Sequence, residues 1–138
     1  MPIDFKKLTV LVAEDNQAMR DVISAVLESL DVSNVVYAKN GDVAFDKFKE
    51  SKPDIVITDW EMEPTDGINL IRKIRKDPSS SNKMVPVVFL TGYGAPERVK
   101  IARDAGVTEF LVKPFTAEKL IQRITYVINN PRDFVASK

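Results

Sequence analysis

A chain of 138 residues, 44% hydrophobic and 29% charged, has material for one buried core and too little for two ordinary domains. Lys plus Arg and Asp plus Glu total 20 each, so the formal net charge is zero and no global positive field marks the chain for nucleic acid or an acidic membrane surface. There is neither Cys nor His, which removes disulfides, thiol nucleophiles, imidazole bases, Cys- or His-ligated metals and any phosphohistidine of its own.

Met1-Pro2-Ile3-Asp4-Phe5 lacks the basic-then-apolar pattern of a secretory leader, and the apolar runs fall short of a membrane span. The expected location is therefore the cytoplasm. The first apolar run, Leu8 to Ala13, reads as a strand. A helix follows with Met19, Val22, Ile23, Val26, Leu27 and Leu30 on one stripe. Asn34 to Ala38 predicts the second strand, and a helix from about Asp42 offers Ala44, Phe45 and Phe48 for burial. Asp54 to Thr58 predicts the third strand, with Leu70, Ile71 and Ile74 on the helix after it. Pro78 to Asn82 reads as a solvated connector before a fourth strand over Val85 to Thr91. The helix from Glu97 to Ala105 has only Val99, Ile101, Ala102 and Ala105 to bury. A fifth strand, Thr108 to Val112, precedes a last helix striped with Leu120, Ile121, Ile124, Val127 and Ile128.

Most of these strands are apolar on successive residues rather than alternating, which suits a parallel sheet covered on both faces. Asn40-Gly41-Asp42, Asp66-Gly67 and Thr116-Ala117-Glu118 supply turn and N-cap chemistry, and Pro96 suits a first helical turn. Five β-α units in succession predict a doubly wound α/β domain with right-handed crossovers. The domain is expected within residues 1–130, with 131–138 as a C-terminal tail.

Ligands of open parallel sheets bind outside the carboxyl ends of the strands. Here the first strand ends in Glu14-Asp15, the third in Asp59, the fourth in Thr91-Gly92 and the fifth in Lys113-Pro114. One Asp after a strand is most often a cap or loop residue. Carboxylates, a hydroxyl and an ammonium converging from four strands argue for a site. Clustered carboxylates raise one another's pKa unless a cation sits among them, and an all-oxygen set favours a hard divalent ion such as magnesium. Lys113 adds fixed positive charge, and a carboxylate can act as nucleophile to form an acyl phosphate. Gly92 leaves room for an incoming phosphoryl group, and the Thr91 hydroxyl could donate to it.

The ordered set Glu14-Asp15, Asp59, Asp66-Gly67, Thr91-Gly92 and Lys113-Pro114-Phe115 resembles the receiver domains of two-component response regulators, in particular the single-domain chemotaxis type. The resemblance spans nearly the whole chain. It implies a flavodoxin-like (βα)5 fold with strand order 2-1-3-4-5. It implies Asp59 as phosphoacceptor, and Mg2+ held by Asp15, Asp59 and the Glu61 main-chain carbonyl, with Glu14 helping directly or through water. It further implies that Lys113 pairs with the phosphoryl group, that the Lys113–Pro114 peptide is cis, and that Thr91 and Phe110 form the switch. The implied partners are a sensor histidine kinase or phosphotransfer protein, docking at the first helix, and a downstream target protein. The protein would be a monomer or weak dimer, binding neither nucleic acid nor membrane, and would catalyse only its own phosphorylation and dephosphorylation.

Several positions depart from the family pattern. Glu63 and Thr65 stand where the family often has Pro and a larger apolar residue, and Phe110 replaces a frequent Tyr. The Glu61 side chain is expected to point to solvent, with an effect on metal affinity or phosphate lifetime as the alternative. Tyr93 would either gate water or cover its loop. Trp60 is expected to pack beside the acceptor. Gly92-Tyr93-Gly94 does not continue into a phosphate-binding loop, so nucleotide binding is not expected.

Three other readings compete. A phosphatase-like enzyme using Asp59 as nucleophile would need a substrate-covering cap, and no insertion of that size is present. A partner-binding pseudo-receiver is disfavoured by the intact acidic pair with Asp59, Thr91 and Lys113. A receiver cut from a larger regulator is the alternative to a stand-alone one.

Overall fold

The computed structural model describes residues 3–130; the expected tail at 131–138 lies outside them. Five strands, β1 (Thr9–Ala13), β2 (Asn34–Ala38), β3 (Ile55–Asp59), β4 (Val87–Thr91) and β5 (Glu109–Val112), form one parallel sheet in the order β2-β1-β3-β4-β5. The helices are α1 (Gln17–Ser29), α2 (Gly41–Ser51), α3 (Gly67–Lys76), α4 (Pro96–Ala105) and α5 (Ala117–Asn129), preceded by a short 3-10 turn at Phe5–Lys7 that the sequence pattern did not announce.

The continuous apolar runs are explained by two cores, one on each face of the sheet. Leu11, Ala13, Val56, Val87 and Phe89 join the cluster that also holds Phe45, Phe48, Leu70, Ile71, Ala102 and Ala105 from α2, α3 and α4. Their strand neighbours Val10, Val12, Ile55, Ile57, Val88 and Leu90 join Ile23, Val26, Leu27, Leu120, Ile124 and Val127 from α1 and α5. A period of two sends successive side chains to opposite cores, so each residue must be apolar.

Caps set the helix starts. Asn16, Asn40, Asp66 and Thr116 each accept a hydrogen bond from the main-chain N–H three residues on, while α4 has no side-chain cap and begins with Pro96.

Strand limits shift slightly from expectation, for local reasons. Asp54 stays outside β3 and instead accepts from Thr9 N at 2.9 Å. Pro86 has no N–H for a ladder, so β4 starts at Val87 rather than Val85, and Val87 N donates to the Thr108 hydroxyl at 2.9 Å. Two side chains expected in the core face outward: Val22 on α1 is 45% exposed and Ile101 on α4 is 41% exposed. A helix lying on a sheet buries only the arc in contact with it, and these positions sit at the edge of that arc.

Buried Arg75 ties α3 to the turn entering β5. It donates to Gly106 O from two nitrogens at 3.1 and 2.8 Å, and to Lys83 O and Val85 O at 2.8 and 2.7 Å. Burial pulls its pKa down to about 10, so it stays charged at neutrality. Gly106 closes α4 at φ 102°, and a Cβ there would meet the Arg75 side chain at 3.0 Å. Among the described residues no helix is long and apolar enough to cross a membrane.

Candidate functional site

Parallel pairing brings the carboxyl ends of β1, β3, β4 and β5 to one edge. Glu14 N donates to Ala38 O at 2.9 Å, Trp60 N to Leu90 O at 2.9 Å, and Lys113 N to Thr91 O at 2.7 Å, so the ladders run on into the residues that carry the chemistry. Asp59 is the last residue of β3 and is buried, with Gly67 packed beneath it. A Cβ on Gly67 would lie 2.1 Å from the Asp59 carbonyl oxygen, so only glycine lets α3 start this close to the strand.

Carboxylate oxygens of Glu14, Asp15 and Asp59 lie within 4.8 Å of one another. Glu14 is fully buried and Asp15 is exposed. The Lys113 ammonium sits 3.3 Å from Glu14 Oε1 and 3.1 Å from Asp59 Oδ1. The Asp59 contact is an ion pair outside hydrogen-bond geometry, leaving Oδ1 buried with no hydrogen bond. Asn16 N donates to Glu14 Oε2 at 3.2 Å, and Arg20 Nη1 braces the same turn by donating to Glu14 O at 2.7 Å.

Burial, followed by the charge of Asp59, pushes the Glu14 carboxyl up to about 7, against the opposing pull of Lys113. Burial pulls the Lys113 ammonium down, but the carboxylates of Asp59 and Glu14 outweigh it and leave its pKa raised. Three clustered oxygen donors, one buried and without a hydrogen bond, with a carboxyl driven toward neutrality, fit a hard divalent cation. The cleft beside them, about 450 Å³, is bordered on α1 by Ala18, Met19 and the outward-facing Val22. A hollow of about 500 Å³ along α3 is lined by Thr65, Asn69, Arg72, Lys73, Lys76 and Asp77 rather than by strand ends, and brings no such donors together.

The other flank of Asp59 departs from expectation. The Glu61 side chain does not simply point to solvent. The Thr91 hydroxyl, itself accepting from Tyr93 N at 3.1 Å, donates to the Glu61 carboxylate, with its oxygens at 3.0 and 3.1 Å. Gly92 N donates to Glu61 Oε1 and Arg98 Nη2 to Oε2, each at 3.2 Å. Three donors from β4, its loop and α4 converge on the carboxylate and hold it at the sheet edge, although the Glu61 side chain remains 38% exposed. Open space lies where a Cβ of Gly92 would stand.

Arg98 is the residue that sequence reasoning missed. Its guanidinium carbon lies 3.4 Å from the centre of the buried Trp60 ring and 5.2 Å from that of Tyr93. An Arg in the first turn of a weakly apolar helix carries no signal of such stacking. Tyr93 itself is 61% exposed. Trp60 packs on Phe89 at 5.3 Å, and Phe89 on the half-buried Phe110 at 6.3 Å. The loop after Asp59 is tied to α2, since Gly41 N donates to Thr65 O and the Thr65 hydroxyl to Asp42 Oδ1, both at 2.8 Å. Lys113–Pro114 is cis, as the resemblance implied, and so is Glu63–Pro64.

Comparison with known proteins agrees with this architecture. The response regulator receiver domain family matches residues 10–125. The chain is 33% identical over 122 residues to chemotaxis protein CheY1 of Helicobacter pylori, covering 88% of this chain and 97% of that protein. It is 34% identical over 119 residues to chemotaxis protein CheY-3 of Vibrio cholerae, covering 86% and 90%. The structure of the chemotaxis response regulator CheY4 of Vibrio cholerae superposes with a TM-score of 0.79 at 28% identity, over 87% of this chain and 98% of that one.

Proposed function

The chain belongs to the response regulator receiver family, and from that membership and the geometry around Asp59 we propose that it is a phosphorylation-driven signalling switch with Asp59 as its acceptor. The observation that carries the reading is the placement of Asp59: buried at a strand end, 3.1 Å from the Lys113 ammonium and grouped with Glu14 and Asp15.

In the proposed reaction a carboxylate oxygen of Asp59 attacks the phosphorus of a phosphohistidine on a sensor kinase or phosphotransfer protein. A P–O bond forms and the P–N bond breaks, its electron pair leaving on the imidazole nitrogen. The Asp59 carboxylate is the nucleophile, and the neighbouring Lys113 ammonium compensates charge on the transferred group. Glu14, Asp15, Asp59 and the Glu61 main-chain carbonyl would hold Mg2+, which when bound supplies further charge compensation at the phosphoryl oxygens.

The donor would approach over the α1 border of the cleft, where Ala18, Met19 and Val22 present small and apolar side chains. Thr91 would donate to a phosphoryl oxygen, and Phe110, half-buried against Phe89, would respond by packing alone, since it has no hydroxyl. The receiver domain, which we place within residues 1–130, turns over no substrate other than its own acyl phosphate, works in the cytoplasm with its kinase, and signals by binding a target protein.

Intact mass after incubation with magnesium and acetyl phosphate tests the acceptor. A magnesium-dependent gain of one phosphoryl group in the wild type, absent in Asp59→Asn, is expected. The same gain in Asp59→Asn would move the acceptor elsewhere, and a wild type that neither gains mass nor binds beryllofluoride would overturn the reading in favour of a partner-binding domain.

A further inference from the structure

The hydroxyl of Thr91 and the amide of Gly92 are the donors at the β4 end that face the Asp59 edge, and both are already engaged. Thr91 is fully buried. Because its oxygen accepts from Tyr93 N, its single proton is committed to the Glu61 carboxylate. Gly92 N donates to the same carboxylate. Glu61 lies two residues after Asp59, so an anion carried on Asp59 and the anion of Glu61 reach for the same donors from one loop.

Arg98 holds the other side of this carboxylate. Its guanidinium lies over the Trp60 ring at 3.4 Å, with the Tyr93 ring at 5.2 Å, and pairs with Glu61 Oε2 at 3.2 Å. Its Nε is buried without a hydrogen-bond partner, an unfavourable feature that the stacking and the ion pair together must offset. The arrangement is therefore poised: remove the carboxylate, and one of the two forces holding Arg98 in place is gone.

We propose that Glu61 is an internal stand-in for the phosphoryl group, clamped on Thr91 and Gly92 by Arg98, so that phosphorylation of Asp59 ejects it and frees the first turn of α4. The inference rests on Asp59 being the acceptor. A phosphoryl group carries about 1.5 to 2 negative charges at neutral pH, so it cannot share donors with a carboxylate without strong repulsion. Ejection breaks the ion pair to Arg98, which stands in the first turn of α4, a helix with no side-chain cap to hold its start. Through this contact the acidic edge and α4 are coupled, and coupling is reciprocal. A partner that draws Arg98 away from Glu61 therefore favours the phosphorylated form at equilibrium.

The test is calorimetric titration of beryllofluoride into the full chain at saturating magnesium, with Glu61→Ala, Glu61→Gln, Arg98→Ala and the double variant Glu61→Ala/Arg98→Ala. Glu61→Ala is expected to bind about tenfold tighter than wild type, the effect of removing one charge-assisted competitor. Glu61→Gln, which keeps an acceptor without charge, is expected to fall between them. The gain from Glu61→Ala is expected to shrink in the Arg98→Ala background, because an unclamped Glu61 competes less. Amide exchange in the first turn of α4 is expected to accelerate on beryllofluoride addition in the wild type and to be already fast in Arg98→Ala. Equal affinities for wild type and Glu61→Ala would overturn the stand-in while leaving the acceptor reading intact. A gain of the same size in both Arg98 backgrounds would overturn the clamp. Binding by neither wild type nor Glu61→Ala would overturn the acceptor reading, and this inference with it.

Discussion

On one flank of Asp59, Glu14 and Asp15 crowd beside it, and Glu14 and Asp59 share the single ammonium of Lys113. On the other flank, the carboxylate of Glu61 meets a hydroxyl, an amide and a guanidinium at once. On the first flank, burial and then the charge of Asp59 drive the Glu14 carboxyl up to about 7. The second is closed by hydrogen bonds. Two stretches of one sheet edge thus have opposite needs: one calls for a cation, and the other has its anion already. A group transferred to Asp59 must satisfy both at once.

The largest expected effect breaks both flanks together. In Gly67→Ala the new Cβ would meet the Asp59 carbonyl oxygen at 2.1 Å and Phe89 at 2.8 Å, neither of which is the end of a flexible chain. A loss of about 4 kcal/mol in urea unfolding is expected, among the larger effects of single substitutions. A loss under about 1 kcal/mol would mean that α3 is not held against the strand as described.

Lys113→Met strikes the acidic flank alone. Removing the shared cation leaves two buried carboxylates uncompensated, a change of about 3 kcal/mol. The deficit is expected to be large at pH 8 and to shrink toward pH 5, where Glu14 can take up a proton. A deficit independent of pH would point to lost packing of the lysine stem rather than lost charge.

The acidic flank is sharpened by titrating it without metal. The folded-state pKa of Glu14 is raised from 4.5 to about 7, so the folded chain holds more protons than the unfolded chain between those values. Its contribution to stability is therefore fully present below pH 4.5 and is lost as pH rises through 7. Metal-free protein is expected to lose about 2 kcal/mol from this source between pH 5 and 7. Glu14→Gln should flatten that dependence, and magnesium should restore more stability at pH 8 than at pH 5.5. Thermal melts with and without chelator would read both, and parallel curves for wild type and Glu14→Gln would remove Glu14 as the source.

The acidic flank was far easier to read from sequence than the Glu61 flank. Glu14, Asp15, Asp59 and Lys113 each stand at or just past a strand end, so locating the strands located the residues. Glu61 and Arg98 lie on a loop and a helix start, where the main chain does not determine where a long side chain goes. Glu61 was expected to face solvent; Thr91 and Arg98, 30 and 37 residues further along, draw it in. Val22 and Ile101 were misplaced for a related reason. Their spacing puts them beside the apolar stripe, but the width of the buried arc depends on what lies opposite.

The sequence by itself determined the order of strands and helices, the two-faced burial of the sheet and the four strand ends that carry the acidic edge. These follow from periodicity, turn residues and the rule that parallel strands present their carboxyl ends together. Only the tertiary structure decided that Glu61 accepts from Thr91 and that the Arg98 guanidinium lies over the Trp60 ring. Those contacts join β3, β4 and α4, and a flexible side chain takes its direction from donors and rings that folding alone brings within reach.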